Sequence, residues 1–213
     1  METRLLIFDF DGTIADTLEG ITQTARVVTH ELGLPDLDPL MMKKAIGLPL
    51  WQSLTRGAGA PEDRIEEAMD VYRKQFYLVA PQYVTLFDGV KEALKTLHEA
   101  GFKMAIATSR GSDSLRMLLE RHGIDGYFQD YATATEIKAA KPAPDLVLAI
   151  LDRMGIPAEQ AMVIGDTTFD ILMGRNAGCR TCGVSYGNHS EEMLRTASPD
   201  HIIDDMRKLY HII

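Results

Sequence analysis

Asp9 and Asp11 stand two residues apart in Asp-Phe-Asp-Gly-Thr, directly after the apolar run Leu5–Phe8. A carboxylate beside a divalent cation can attack phosphorus and form an aspartyl-phosphate, while a second carboxylate carries protons to and from the reacting oxygens. Gly12 lets the chain leave the strand sharply, and Thr13 adds a hydroxyl where backbone amides can face a bound anion. These residue types at this spacing point to phosphoryl transfer. The competing reading is an ordinary turn, because Asp-Gly after a strand is also a common turn signal.

The elements that must hold such a site follow from periodicity. From residue 88 onward the chain repeats an amphipathic helix, a glycine and a short apolar strand. Val90, Ala93, Leu94 and Leu97 share one helix face, Leu115, Leu118 and Leu119 a second, and Val147, Ile150, Leu151 and Met154 a third. Gly101, Gly123, Gly155 and Gly178 follow helical segments and mark their ends. Strands are expected at residues 4–8, 103–107, 131–133, 161–164 and 181–184, with 202–203 as a short edge. Alternating strands and helices imply an α/β fold: a parallel sheet with helices on both faces.

Between the first strand and residue 88 no convincing strand pattern is found. Leu18, Ile21, Ala25, Val28 and Leu32 form one helical stripe, and Ile65, Met69, Tyr72, Phe76 and Val79 another. Two shorter helices are expected between them, broken near Gly47 to Pro49 and near Gly57 to Gly59. An all-helical subdomain over residues 16–82, inserted beside the carboxylate pair, reads as a cap or lid on a core made of 1–15 and 83–213.

Ligand sites in open parallel sheets form outside the carboxyl ends of the strands. Thr108, Ser109 and Arg110 follow one strand there, and Gly165, Asp166 and Asp170 follow another, so they should meet Asp9 and Asp11. Lys141 precedes Pro142 in a loop ahead of a helix. Each has an innocent alternative as a helix cap or a solvated loop charge; their joint order and placement favour a site.

Composition narrows the rest. The chain has 213 residues, 46% of them hydrophobic and 25% charged, with a formal charge of −9. That charge argues against a nucleic-acid surface, which needs a concentrated positive field. An anionic substrate must instead be held by a compact local cluster of metal, lysine and amides. No apolar stretch is long enough to span a bilayer and the first strand begins too early for a leader peptide, so the expected location is the cytoplasm. Cys179 and Cys182 form a Cys-x-x-Cys with no second pair and read as buried reduced thiols. The six histidines are scattered without metal-ligand spacing.

With these residues in view, the whole chain resembles haloacid-dehalogenase superfamily phosphatases, above all the phosphoglycolate-phosphatase-like group with a helical, C1-type cap. Asp-Phe-Asp-Gly-Thr resembles the first family motif, Thr108 the second, Lys141 with Pro142 the third, and Gly165-Asp166 through Asp170 the fourth. The resemblance implies a Rossmann-like core with the cap inserted after the first motif. It implies Asp9 as nucleophile, Asp11 as acid and base, and Lys141 offsetting the crowded negative charge. Mg2+ is implied on Asp9, the Asp11 backbone carbonyl, Asp166 and Asp170, the last directly or behind the others. Phosphate would rest on Thr108 and on the amides of Ser109 and Gly12.

The expected function is a Mg-dependent phosphatase hydrolysing a small phosphorylated metabolite, a phosphoglycolate-like phosphomonoester. A pyrophosphatase or a nucleotidase is the alternative. A β-phosphoglucomutase-type enzyme is less favoured, since the chain has Leu18-Glu19-Gly20 and Gly47-Leu48-Pro49-Leu50 where that group carries a His and a Ser-Arg pair. A dehalogenase would not need Asp11 as leaving-group acid. Lys43, Lys44, Arg56 and Arg73 are candidate cap contacts for an anion, although solvated helix faces usually carry such residues. Trp51, Leu50 and Leu54 read as cap core rather than as a wall above the substrate.

Overall fold

The computed structural model describes residues 3–137 and 139–213. Met1 and Glu2, at the start of the expected core segment, lie outside the described residues. The strands are β1 (Leu5–Phe8), β2 (Ala15–Asp16), β3 (Thr85–Leu86), β4 (Lys103–Thr108), β5 (Asp130–Thr133), β6 (Ala161–Gly165), β7 (Arg180–Val184) and β8 (His201–Ile203). The helices are α1 (Leu18–Glu31), α2 (Pro39–Ala45), α3 (Leu50–Ala58), α4 (Ile65–Val79), α5 (Val90–Glu99), α6 (Ser112–His122), α7 (Asp145–Met154), α8 (Thr168–Asn176) and α9 (Glu191–Thr196).

Six strands form one parallel sheet in the order β5-β4-β1-β6-β7-β8. Side chains alternate across it, and both faces are buried. Leu6, Phe8, Met104, Ile106, Met162 and Ile164 face one core with Leu94 and Leu97 of α5 and Leu115 and Leu118 of α6. Leu5, Ile7, Ala105, Ala107 and Val163 face the other with Val147 and Ile150 of α7 and Met173 of α8. This is why the strands read as continuous apolar runs rather than alternating ones. Gly123 and Gly155 close α6 and α7 in the left-handed conformation, as their positions after the apolar stripes require.

β1 is the central strand, with β4 on one side and β6 on the other. Phe8 pairs with both Ile106 and Ile164. Asp9 and Gly165 therefore leave the sheet at one level, beside Ala107 and Thr108. The chain reverses direction across the sheet at this strand, which opens a crevice at its carboxyl end.

One expectation is corrected. Residues between β1 and 88 do include strands: Ala15 pairs with Leu86 and Asp16 with Thr85 in an antiparallel two-stranded ribbon. Two residues per strand are too few to show alternation, so the ribbon is invisible to sequence periodicity. It joins the outgoing and returning chain on either side of α1–α4. Within that stretch α1 packs on α4 and α2 on α3. Ile21, Leu54 and Phe76 extend the apolar cluster that begins at Phe8 in the sheet. Among the described residues no helix is long and apolar enough to cross a membrane.

Candidate active site

Asp9 follows β1 and is 2% exposed. Its Oδ1 accepts from Lys141 Nζ at 2.5 Å, while its Oδ2 is buried without a hydrogen-bond partner. Burial and the carboxylates of Asp170, Asp166 and Asp11 push the Asp9 carboxyl well above its ordinary range, against the pull of Lys141. Lys141, 3% exposed, also donates to Asp170 Oδ1 at 2.7 Å. Burial alone would lower its pKa, but the two carboxylates raise it, so the ammonium stays charged.

Asp170 sits in the first turn of α8. Its Oδ2 accepts from the Thr167 amide at 3.0 Å and the Thr167 hydroxyl at 2.6 Å, which makes Thr167 and Asp170 a reciprocal cap of that helix. Both its oxygens thus have partners in the protein. Asp166 follows β6 and is fully buried. Its Oδ1 accepts from the Thr13 hydroxyl at 3.0 Å, and its Oδ2 from the Asn188 amide and side chain, each at 2.8 Å. Burial and the Asp170 charge raise its pKa to about 7 in spite of these donors.

Asp9, Asp166 and Asp170 bring carboxylate oxygens within 4.8 Å of one another. Three buried carboxylates with one ammonium leave negative charge uncompensated, and Asp9 Oδ2 is an unused acceptor. An all-oxygen donor set of this kind suits a hard dication such as Mg2+. The residues therefore fit the ion that the family resemblance implies.

Gly12, at φ 91°, brings the backbone against this cluster. A Cβ there would run into the Asp166 carboxylate and the Asn188 side-chain amide. Its N–H donates to the Ala15 carbonyl at 2.8 Å. Thr13 likewise spends its hydroxyl on Asp166 instead of on an anion.

Thr108 is buried at the end of β4, and its Oγ1 accepts from the Arg110 amide at 3.1 Å, leaving the hydroxyl proton for another acceptor. Ser109 Oγ donates to the Gly47 carbonyl, between α2 and α3, at 2.8 Å. Arg110 forms a two-pronged pair with Asp11: Nε lies 3.1 Å from Oδ2, and Nη2 contacts Oδ1. Its guanidinium carbon lies 4.7 Å from the Phe76 ring centroid on α4 and 5.7 Å from that of Phe10. Ser109 and Arg110 thus tie the sheet edge to α1–α4 at two points.

A cavity of about 820 Å³ opens in front of Asp9 and Asp11, between the strand ends and α1–α4. Of the four cap cations considered from sequence, Arg73 alone lines it, and Arg73 is paired with Asp70 at 3.0 Å. Leu54 is buried in the core as expected. Trp51 is not: it is 51% exposed and lines the cavity. Cys179 and Cys182 are buried free thiols, each pushed up to about 12 by burial.

Sequence reasoning brought Asp9, Asp11, Thr108, Ser109, Lys141, Asp166 and Asp170 to one place, and the structure gathers them there. It missed the roles of Arg110 and Asn188. Asn188 follows β7, a fourth strand end on the same edge, so the rule that located Asp166 reaches it as well.

Residues 6–184 match the family of haloacid dehalogenase-like hydrolases. The chain belongs to that family. It is similar to the probable phosphatase IndB of Dickeya dadantii, at 35% identity over 94% of this chain and 89% of that protein. A phosphoglycolate phosphatase of Vibrio vulnificus is 29% identical over 100% and 96% of the two chains. A pyrophosphatase, PpaX, of Halalkalibacterium halodurans is 32% identical over 100% and 98%. Among solved structures, a haloacid dehalogenase-like hydrolase from Bacteroides fragilis superposes with a TM-score of 0.92 at 26% identity, covering 98% of this chain and 100% of that one. In this hydrolase the carboxylate pair follows the central strand of the parallel sheet.

Proposed function

We propose that this hydrolase is a Mg-dependent phosphatase that cleaves phosphomonoesters of small metabolites through an aspartyl-phosphate on Asp9. The observation that carries this reading is Asp9 itself: a buried carboxylate held by Lys141 on one oxygen, open on the other, and two residues from a second carboxylate. Asp9, Asp166 and the Asp11 backbone carbonyl would hold Mg2+, with Asp170 as a further ligand or as the support behind Lys141. When bound, the ion supplies charge neutralisation for the phosphoryl oxygens.

Asp9 attacks phosphorus in line as the bond to the ester oxygen breaks, and Asp11 gives that oxygen its proton. The alcohol leaves. Asp11 then takes a proton from a water that attacks Asp9-phosphate, so ester and water become alcohol and phosphate while both carboxylates return to their starting state. Lys141 keeps the Asp9 oxygen oriented and offsets charge that the attack concentrates. The Thr108 hydroxyl has a proton to donate to a phosphoryl oxygen. The Ser109 and Asp11 amides make no backbone hydrogen bond among the described residues and suit the same task. Residues 16–82 act as the cap over a core of 1–15 and 83–213, excluding water from the reaction.

The buried reduced thiols agree with a reducing compartment, which supports the cytoplasm as the location. The likeness to a pyrophosphatase keeps a phosphoanhydride substrate as the second reading. Phosphate release from a panel of esters and pyrophosphate, with Mg2+ and with excess chelator, tests the proposal. Release that needs Mg2+ supports it; release unaffected by the chelator, or none by folded protein, would sink it.

A further inference from the structure

The substrate leaves Asp9 and Asp11 toward the cavity, so the cavity wall faces whatever the phosphate is attached to. Its volume of about 820 Å³ falls within the range of ~300–1,000 Å³ that encloses drug-sized ligands. Phosphoglycolate and pyrophosphate are far smaller. The wall on the α1–α4 side is apolar and aromatic: Met42, Trp51, Met69, Tyr72, Phe76 and Tyr77. Trp51 and Tyr77 are 51% and 44% exposed, so each keeps ring surface free to meet a ligand.

Charge narrows the class further. A second anionic group on the substrate, a carboxylate or another phosphate, needs a cation once it is desolvated. Among the described residues lining the cavity the cations are Arg73, Lys74 and Arg110. Arg110 is paired with Asp11 by both prongs in a buried pair, while Arg73 is exposed and its pair with exposed Asp70 is weak. Lys74 is exposed, where water screens its charge. Asp11 and Asp113 line the same space and would repel a second anion.

We propose that the cavity accepts phosphomonoesters whose alcohol is an uncharged aromatic or heteroaromatic body, in preference to short carboxylated esters or polyphosphates. This rests on the phosphatase reading and adds to it the class of leaving group. Trp51 and Tyr77 provide ring faces for the body.

The experiment compares kcat/KM for 1-naphthylmethyl phosphate, phosphoglycolate, pyrophosphate and acetyl phosphate, all with Mg2+. Acetyl phosphate reports the core chemistry, since its small acyl group asks little of the cavity. The expected result is hydrolysis of acetyl phosphate, with naphthylmethyl phosphate about tenfold or more ahead of phosphoglycolate and pyrophosphate. In Trp51→Ala the ratio of naphthylmethyl to acetyl phosphate should fall several-fold, on the order of a lost ring stack. Phosphoglycolate or pyrophosphate equal to the aromatic ester, with acetyl phosphate still turned over, overturns this inference and leaves the phosphatase reading standing. An unchanged ratio in Trp51→Ala also overturns it. Hydrolysis of none of the four removes the phosphatase reading, and the inference with it.

Discussion

Asp9 and Asp11 differ in their neighbours, and those neighbours set their tasks. Asp9 is enclosed with Lys141 and two further carboxylates, whereas Asp11 turns toward the cavity and Arg110. Asp9→Asn should abolish phosphoenzyme formation and turnover. Asp11→Asn should let Asp9-phosphate accumulate from esters with good leaving groups, because formation then needs little proton donation while hydrolysis still needs a base. Acid-quench labelling of the two variants checks both outcomes; label on the Asp9→Asn protein would remove Asp9 from its role. Lys141→Ala should cost stability as well as activity. It leaves Asp9 and Asp170 buried and unpaired, a loss on the order of 3–5 kcal/mol that denaturant unfolding would read. An unchanged midpoint in that variant would show that the ammonium is not needed to balance the cluster.

Short elements converge on the site, and their legibility differs with their length. The strands bearing Asp9, Thr108 and Asp166 are buried on both faces, and their apolar runs announced them. Strand ends then predicted which polar residues would meet. The two-residue strands Ala15–Asp16 and Thr85–Leu86 carried no such signal, because pairing of two residues leaves no period. Arg110 was visible as a strand-end residue, yet its partner Asp11 lies 99 positions away and only the closed fold joins them. The same holds for the Gly12 amide, whose bond to Ala15 is a matter of local turn geometry. Arg110→Ala should leave Asp11 buried without its cation and free Phe76 of its stacking partner. A loss of about 1–3 kcal/mol and a drop in kcat larger than the change in KM are expected. A change confined to KM would instead place Arg110 on the substrate.

At the scale of the whole molecule, a chain of formal charge −9 sets Lys141 and Arg110 among four carboxylates, and under the proposed function this compact cluster would meet the anionic substrate. Without a bound dication that cluster opposes folding. Asp166 is raised to about 7 from an ordinary 3.8, so between those values the folded state holds more protons than the unfolded one. Through Asp166, stability of the metal-free protein should therefore fall as pH rises from about 4 to about 7. Under the proposed function Mg2+ would bind the deprotonated carboxylates, so its stabilising effect should be larger at about pH 8 than at about pH 5.5. Thermal melts with chelator and with Mg2+ at both values check this, and an equal Mg2+ shift at the two would contradict it. The most direct test of the central claim is phosphate release from acetyl phosphate by the wild-type protein and by Asp9→Asn, with Mg2+ and with chelator. The expected result is release by the wild-type protein with Mg2+ alone. Release by folded Asp9→Asn at the wild-type rate, or none by folded wild-type protein, would contradict phosphoryl transfer through Asp9.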